Sequence, residues 1–185
     1  SQRLLRHTGP ADQALIHLVW PTRDSSDPVA AIRLELLQRV VKIRLTETLR
    51  EALGKTYSPR AANDASRYWP GYGTFAVTAS VEVQQIDAAR EALVETIAAL
   101  RDSPLAADLL DRARRPMAEG FQNALKSNAG WLALVDRAQS EPDQIDRLLN
   151  AEARLSATSP EDIQALLRDY LDPSSAVEVL VLPLN

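Results

Sequence analysis

The chain has 185 residues, 45% of them apolar, which is enough to bury a core and short enough for one domain spanning 1–185. A formal charge of -4 and a pI near 5.3 give no cationic footprint for a phosphate backbone, so nucleic acid is not an expected partner. The absence of cysteine removes disulfides, Cys-ligated zinc, iron-sulfur clusters and thiol nucleophiles, and leaves the compartment open.

No apolar run approaches the roughly 20 residues that a membrane span requires. Ser1-Gln2-Arg3-Leu4-Leu5-Arg6 lacks the apolar core of a signal peptide. The missing initiator Met predicts an upstream segment. Ala14 to Trp20 is a short apolar run closed by Pro21, as in an interior strand. Asp27 and Pro28 then supply an N-cap and a first-turn proline. Val29, Ile32, Leu36, Leu37, Val40, Val41, Leu45, Leu49 and Leu53 follow at helical spacing, and Gly54 stands where a helix C-terminus places it.

The next strand is expected over Lys55 to Ala65, with Tyr68-Trp69-Pro70-Gly71-Tyr72-Gly73 as a turn. From Thr74 to Val83 apolar and polar residues alternate strictly, with Phe75, Val77, Ala79, Val81 and Val83 on one face. Ile86 to Leu100 returns to helical spacing, and the pattern resumes after Pro104 through Leu109, Leu110, Ala113, Met117, Phe121 and Leu125. Shorter periodic pieces run through Trp131 to Val135 and Ile145 to Leu149. Ser159 and Asp162 resemble a capping box opening another helix, and Ala176 to Pro183 forms a last strand. The order predicts an α+β fold, a two-layer sandwich whose mostly antiparallel sheet has helices on one face. The final strand must rejoin the sheet after a long helical excursion.

Little in this chain suggests chemistry of its own. His7 and His17 stand ten residues apart, which fits no helical metal pair; His17 reads as a strand residue and His7 as part of a mobile terminus. No carboxylate spacing singles out an acid and base, and no serine has a Gly-x-Ser-x-Gly setting. Arg112, Arg114 and Arg115, interleaved with Asp108, Asp111 and Glu119, read as surface ion pairs, and Trp131 as core packing.

Arg50 and Tyr57 flank the glycine at the helix-to-strand junction, and their side chains could converge at the helix-sheet edge. A guanidinium and a phenol there could donate to a peptide carbonyl or to its oxyanion. The alternative is an arginine complementing the helix C-terminus and a tyrosine packed in the sheet.

Leu49-Arg50-Glu51-Ala52-Leu53-Gly54 followed by Thr56-Tyr57-Ser58 resembles the junction in the second domain of each half of the insulinase, or pitrilysin, family of zinc metallopeptidases. The likeness extends to the long helix, the alternating strand, the Ser-Pro-Glu-Asp-Ile helix at Ser159 to Ile163 and the Val-rich closing strand. The resemblance implies homologous α+β domains enclosing a peptide. Zinc would lie on a companion domain, in cis or in trans, that carries His-x-x-Glu-His. This chain has no such motif, so it resembles the zinc-free, C-terminal-type domain, with no cofactor of its own. Arg50 and Tyr57 would then be the substrate-binding pair that faces the peptide backbone. Lys55 departs from the apolar or aromatic residue usual after the glycine. Relatives that serve only as assembly scaffolds supply the rival expectation.

Overall fold

The computed structural model describes residues 1–54, 59–136 and 138–184. Its longest element, α1 (Pro28–Leu53), follows from local signals at both ends. The Asp27 carboxylate accepts from the Val29 and Ala30 amides at 2.9 and 3.4 Å, and Pro28 occupies the first turn. Gly54 ends the helix at φ 64°, a left-handed conformation that glycine adopts without Cβ strain, and its N–H reaches the Arg50 carbonyl at 3.1 Å. At 26 residues the helix is on the order of 39 Å long and can cross the sheet.

The sheet contains β1 (Gln2–His7), β2 (Gln13–Thr22), β3 (Arg60–Ala65), β4 (Gly73–Glu82) and β5 (Val177–Pro183) in the order β1-β5-β2-β4-β3. Among the described strands the β1–β5 pairing is parallel and the others are antiparallel. The returning strand therefore inserts between β1 and β2, bringing the two ends of the chain together. Strict alternation on β4 has its expected result: Phe75, Val77, Ala79 and Val81 are buried, as are their β2 counterparts Ile16, Leu18 and Trp20. Trp20 satisfies its indole by donating to the Asp172 carbonyl at 2.7 Å.

Helices α2 (Ile86–Asp102), α3 (Ala107–Lys126), α4 (Asn128–Val135), α5 (Gln144–Leu149), α6 (Ala151–Ser156) and α7 (Pro160–Tyr170) complete the helical side. Leu34, Leu36, Leu37, Val40, Val41 and Leu45 of α1 are all fully buried, because α1 is enclosed by other helices as well as by the sheet side. At α7 the capping box is complete: Ser159 Oγ accepts from the Asp162 amide at 3.2 Å and Asp162 accepts from the Ser159 amide at 2.9 Å. The α+β two-layer arrangement expected from the pattern is thus the observed one.

Three details differ from the expectation. The Gln2–His7 segment joins the sheet as edge strand β1, although its exposed, unpatterned side chains carry no strand signal. His7 is consequently a strand-end residue. Trp131 is 46% exposed, with its indole donating to the Leu125 carbonyl at 2.8 Å, because α4 lies at the surface.

Candidate functional site

The carboxyl end of α1 is anchored by Leu49 and Leu53, both buried, while Arg50 between them projects from the exposed side of the last turn. Its carbonyl receives the Gly54 cap, so its backbone is fixed one turn before the chain reverses. Among the described residues, the Arg50 side chain makes no hydrogen bond or ion pair. The acid best placed to engage it, Glu47 at i-3, is taken by other cations. Arg112 on α3 donates to it at 2.7 Å and Arg44 lies at 3.5 Å, and chiefly the Arg112 hydrogen bond holds its carboxyl below the usual range.

Beyond Gly54 the chain has joined the sheet by Arg60, which pairs with Thr78 of β4. Tyr57, the expected partner of Arg50, lies outside the described residues, as does most of the expected Lys55-to-Pro59 part of the strand. The described strand begins at Arg60.

Both histidines have other partners. The Nδ1 of His7 accepts from the Gly9 amide at 2.9 Å, and its Nε2 lies 3.0 Å from the Gln13 carbonyl, an arrangement that specifies an Nε2–H tautomer. His17 Nδ1 lies 2.8 Å from Thr78 Oγ1 across the β2–β4 ladder, and burial lowers its pKa. Among the described residues no group of three or more His, Cys, Asp or Glu side chains gathers in metal-ligand geometry. The donors among the described residues do not fit a zinc site.

A second feature, which no sequence motif announced, lies at the amino end of α1. The β3–β4 turn exposes Tyr68, Trp69 and Tyr72, yet its backbone is firmly braced. Ser66 Oγ accepts from the Tyr68 and Trp69 amides at 3.2 and 2.9 Å, Ser66 N–H donates to the Tyr72 carbonyl at 3.0 Å, and Gly71 at φ 72° donates to Asp24. The hydrogen bonds from Ser26 and Gly71 hold the Asp24 carboxyl down at about 2. Arg67 ties this turn to the segment before α5, reaching Glu141 at 3.0 Å and Asp143 at 2.6 Å. The proline-, glycine- and aromatic-rich stretch was legible as a turn; its attachment to Glu141 and Asp143, more than 70 positions away, was not.

The five-stranded sheet covered on one face by helices defines an α+β two-layer domain. The sequence model described as the peptidase M16 inactive domain matches residues 1–117, and the chain belongs to this family. It is 30% identical over 110 residues to the chloroplastic stromal processing peptidase of Pisum sativum, a match covering 59% of this chain and 9% of that protein. The chain thus spans about a tenth of the length of that curated relative. A crystal structure of a peptidase M16 inactive domain from Pseudomonas fluorescens superposes with a TM-score of 0.80 at 18% identity, covering 100% of this chain and 44% of the other. A putative zinc protease from Bordetella pertussis gives 0.75 at 18% identity, with 95% and 96% covered. A chain of complex III2 from Candida albicans, solved with Inz-5 bound, gives 0.72 at 11% identity, with 99% and 45% covered. The resemblance read from the sequence is therefore correct at the level of family and fold: this is an inactive-type domain of a zinc protease family.

Proposed function

We propose that residues 1–185 act as one zinc-free, C-terminal-type domain that closes a peptide-binding chamber against a companion domain, in cis or in trans, carrying the metal. The observation that carries the proposal is the exposed Arg50 guanidinium, without a hydrogen-bond or ion-pair partner among the described residues, one turn before the left-handed Gly54. In this reading Arg50 holds the carbonyl of a bound peptide with charge-assisted hydrogen bonds. Tyr57 donates its phenolic proton in a hydrogen bond to the oxyanion that develops there. Zinc, when held by the companion domain, supplies the activated water. The peptide is bound and oriented by this chain and cleaved only in the assembly.

The capture of Glu47 by Arg112 and Arg44 supports this assignment, since it leaves the Arg50 charge available to a ligand. One observation favours the rival, a purely structural or protein-interaction domain: the same fold occurs in a chain of the Candida albicans complex III2. A companion domain with His-x-x-Glu-His favours the peptidase assembly, and one without it favours the scaffold.

The direct test is a peptidase assay and zinc titration on the isolated chain. No turnover and no stoichiometric tight zinc binding are expected, whereas metal-dependent turnover by this chain alone would overturn the proposal.

A further inference from the structure

On a helix, side chains three or four positions apart share a face. For Arg50 those positions on α1 hold Thr46, Glu47, Leu53 and Gly54, so Glu47 is the acid that the helix itself offers to Arg50. Glu51 stands at the next position, where its side chain does not face Arg50. A glutamate on the amino-terminal side of its cation is also the more favourable order, because the acid lies toward the positive end of the helix dipole. Local preference in α1 alone therefore pairs Glu47 with Arg50 ahead of Arg44.

The folded chain does the opposite. Arg112 of α3 donates to Glu47 Oε1 at 2.7 Å and Arg44 lies 3.5 Å from Oε2, so both carboxylate oxygens are in use. Arg50 has no hydrogen-bond or ion-pair partner among the described residues. The contact from Arg112 is much the shorter of the two and is the main cause of the lowered Glu47 pKa, so α3 decides which way this carboxylate faces. Asp108, one turn earlier on α3, lies 3.8 Å from the Arg112 Nε and holds the guanidinium from the other side. With side chains 49% and 34% exposed, the Arg112–Glu47 pair adds little to the stability of the fold. Its consequence is the direction of Glu47.

We propose that Arg112 is a positioning residue for Arg50: by holding Glu47 against α3, it keeps the Arg50 guanidinium free to meet a peptide carbonyl. The inference rests on the peptide-binding role given to Arg50 and adds the residue that regulates it. Without Arg112, Glu47 Oε1 loses its partner and turns to Arg50, while Oε2 stays within reach of Arg44. A peptide carbonyl must then displace a carboxylate before it can bind. Once it has done so the later steps are unchanged, so the loss falls on KM and not on kcat.

The two halves of this ion pair separate a positioning role from a bracing one. If the pair only braces α1 against α3, Arg112→Gln and Glu47→Gln break the same contact and have the same effect. If Arg112 acts by occupying Glu47, Arg112→Gln alone is harmful and a second change, Glu47→Gln, cancels it.

The first measurement is made on the full chain, without a peptidase. Proton–nitrogen NMR of the guanidinium groups should show the Arg50 Nε–H shifted and slowed in exchange in Arg112→Gln, and returned to its wild-type state in Arg112→Gln/Glu47→Gln. The Ile32 methyls report the fold: they lie in an apolar cleft of about 430 Å³ shared with Phe121 and Leu148, and Ile32 is 15 positions, or about 22 Å, along α1 from Glu47. They should keep their native shifts in every variant. In the zinc-bearing assembly, Arg112→Gln should raise KM about twofold at constant kcat, the scale of one helical ion pair, with Glu47→Gln alone and the double variant both at wild-type values. An Arg50 signal unchanged by Arg112→Gln, or a KM raised equally by Glu47→Gln, overturns the proposal. Arg50→Ala in the same assembly tells the two failures apart. Wild-type kinetics there, with the NMR change present, refute the peptide-binding role; a large loss there, with no NMR change, refutes the positioning role alone.

Discussion

At its carboxyl end α1 presents the exposed Arg50 one turn before a glycine cap; near its amino end lie a braced aromatic turn, a set of ion pairs and a cleft lined by several helices. The first arrangement keeps a charge available by engaging its neighbour Glu47 elsewhere. The second matches its charges among themselves and exposes apolar surface instead. One helix thus has an exposed arginine near one end and exposed aromatic side chains near the other. Under the proposed function, substitutions at the carboxyl end should alter catalysis in the assembly, and those at the amino end should alter stability.

The largest expected effect separates the ends directly. Arg50→Ala should lower kcat/KM of the zinc-bearing assembly by about 100-fold, the scale of losing one oxyanion-type donor. Because its side chain is exposed, denaturant unfolding should shift by no more than about 0.5 kcal/mol. Arg67→Ala should reverse the pattern, lowering the denaturant midpoint chiefly through loss of the ion pair with the buried Glu141, with kcat unchanged. If both variants lose stability and activity together, the two ends are not separable.

Gly54→Ala isolates the backbone at the carboxyl end. A Cβ there meets nothing within 4 Å among the described residues, so the expected cost is conformational, about 1 kcal/mol for a left-handed alanine. Chemical denaturation measures it, and an unchanged midpoint would mean that the cap contributes little.

The smallest effect lies in the aromatic turn. Asp24 has its pKa lowered to about 2 from an ordinary 3.8, so the native state binds fewer protons than the unfolded chain between those values. Its stabilisation is complete above the ordinary value and lost as pH falls through about 2. The Gly71 amide resonance should therefore titrate with a midpoint near 2 and not near 3.8.

The features that could be read from sequence were those set by neighbouring residues. Asp27-Pro28 and Gly54 bounded α1 correctly at Pro28 and Leu53, and alternation located β4 to within a residue at each end. β1 could not be read this way: Leu4 and Leu5 stay more than half exposed on an edge strand, so burial imposes no alternation on them. Trp131 was misread because its indole finds a carbonyl partner at the surface, which composition does not reveal. The candidate site divides in the same manner. Arg50 is placed by the helix that ends beside it, whereas the cleft draws on Ile32, Phe121 and Leu148, whose proximity is a property of helix packing. Tyr57 lies outside the described residues, so its place beside Arg50 rests on its position in the sequence and on the resemblance.

The central claim is that the Arg50–Tyr57 junction acts on the transition state of a peptide bond cleaved by a companion domain. Steady-state kinetics of Tyr57→Phe in the zinc-bearing assembly test it most directly. The account predicts a kcat lowered by about 100-fold with KM changed less than about twofold, because the phenol acts on the oxyanion more than on the bound peptide. Equal losses in turnover and affinity, or wild-type kinetics, would contradict it.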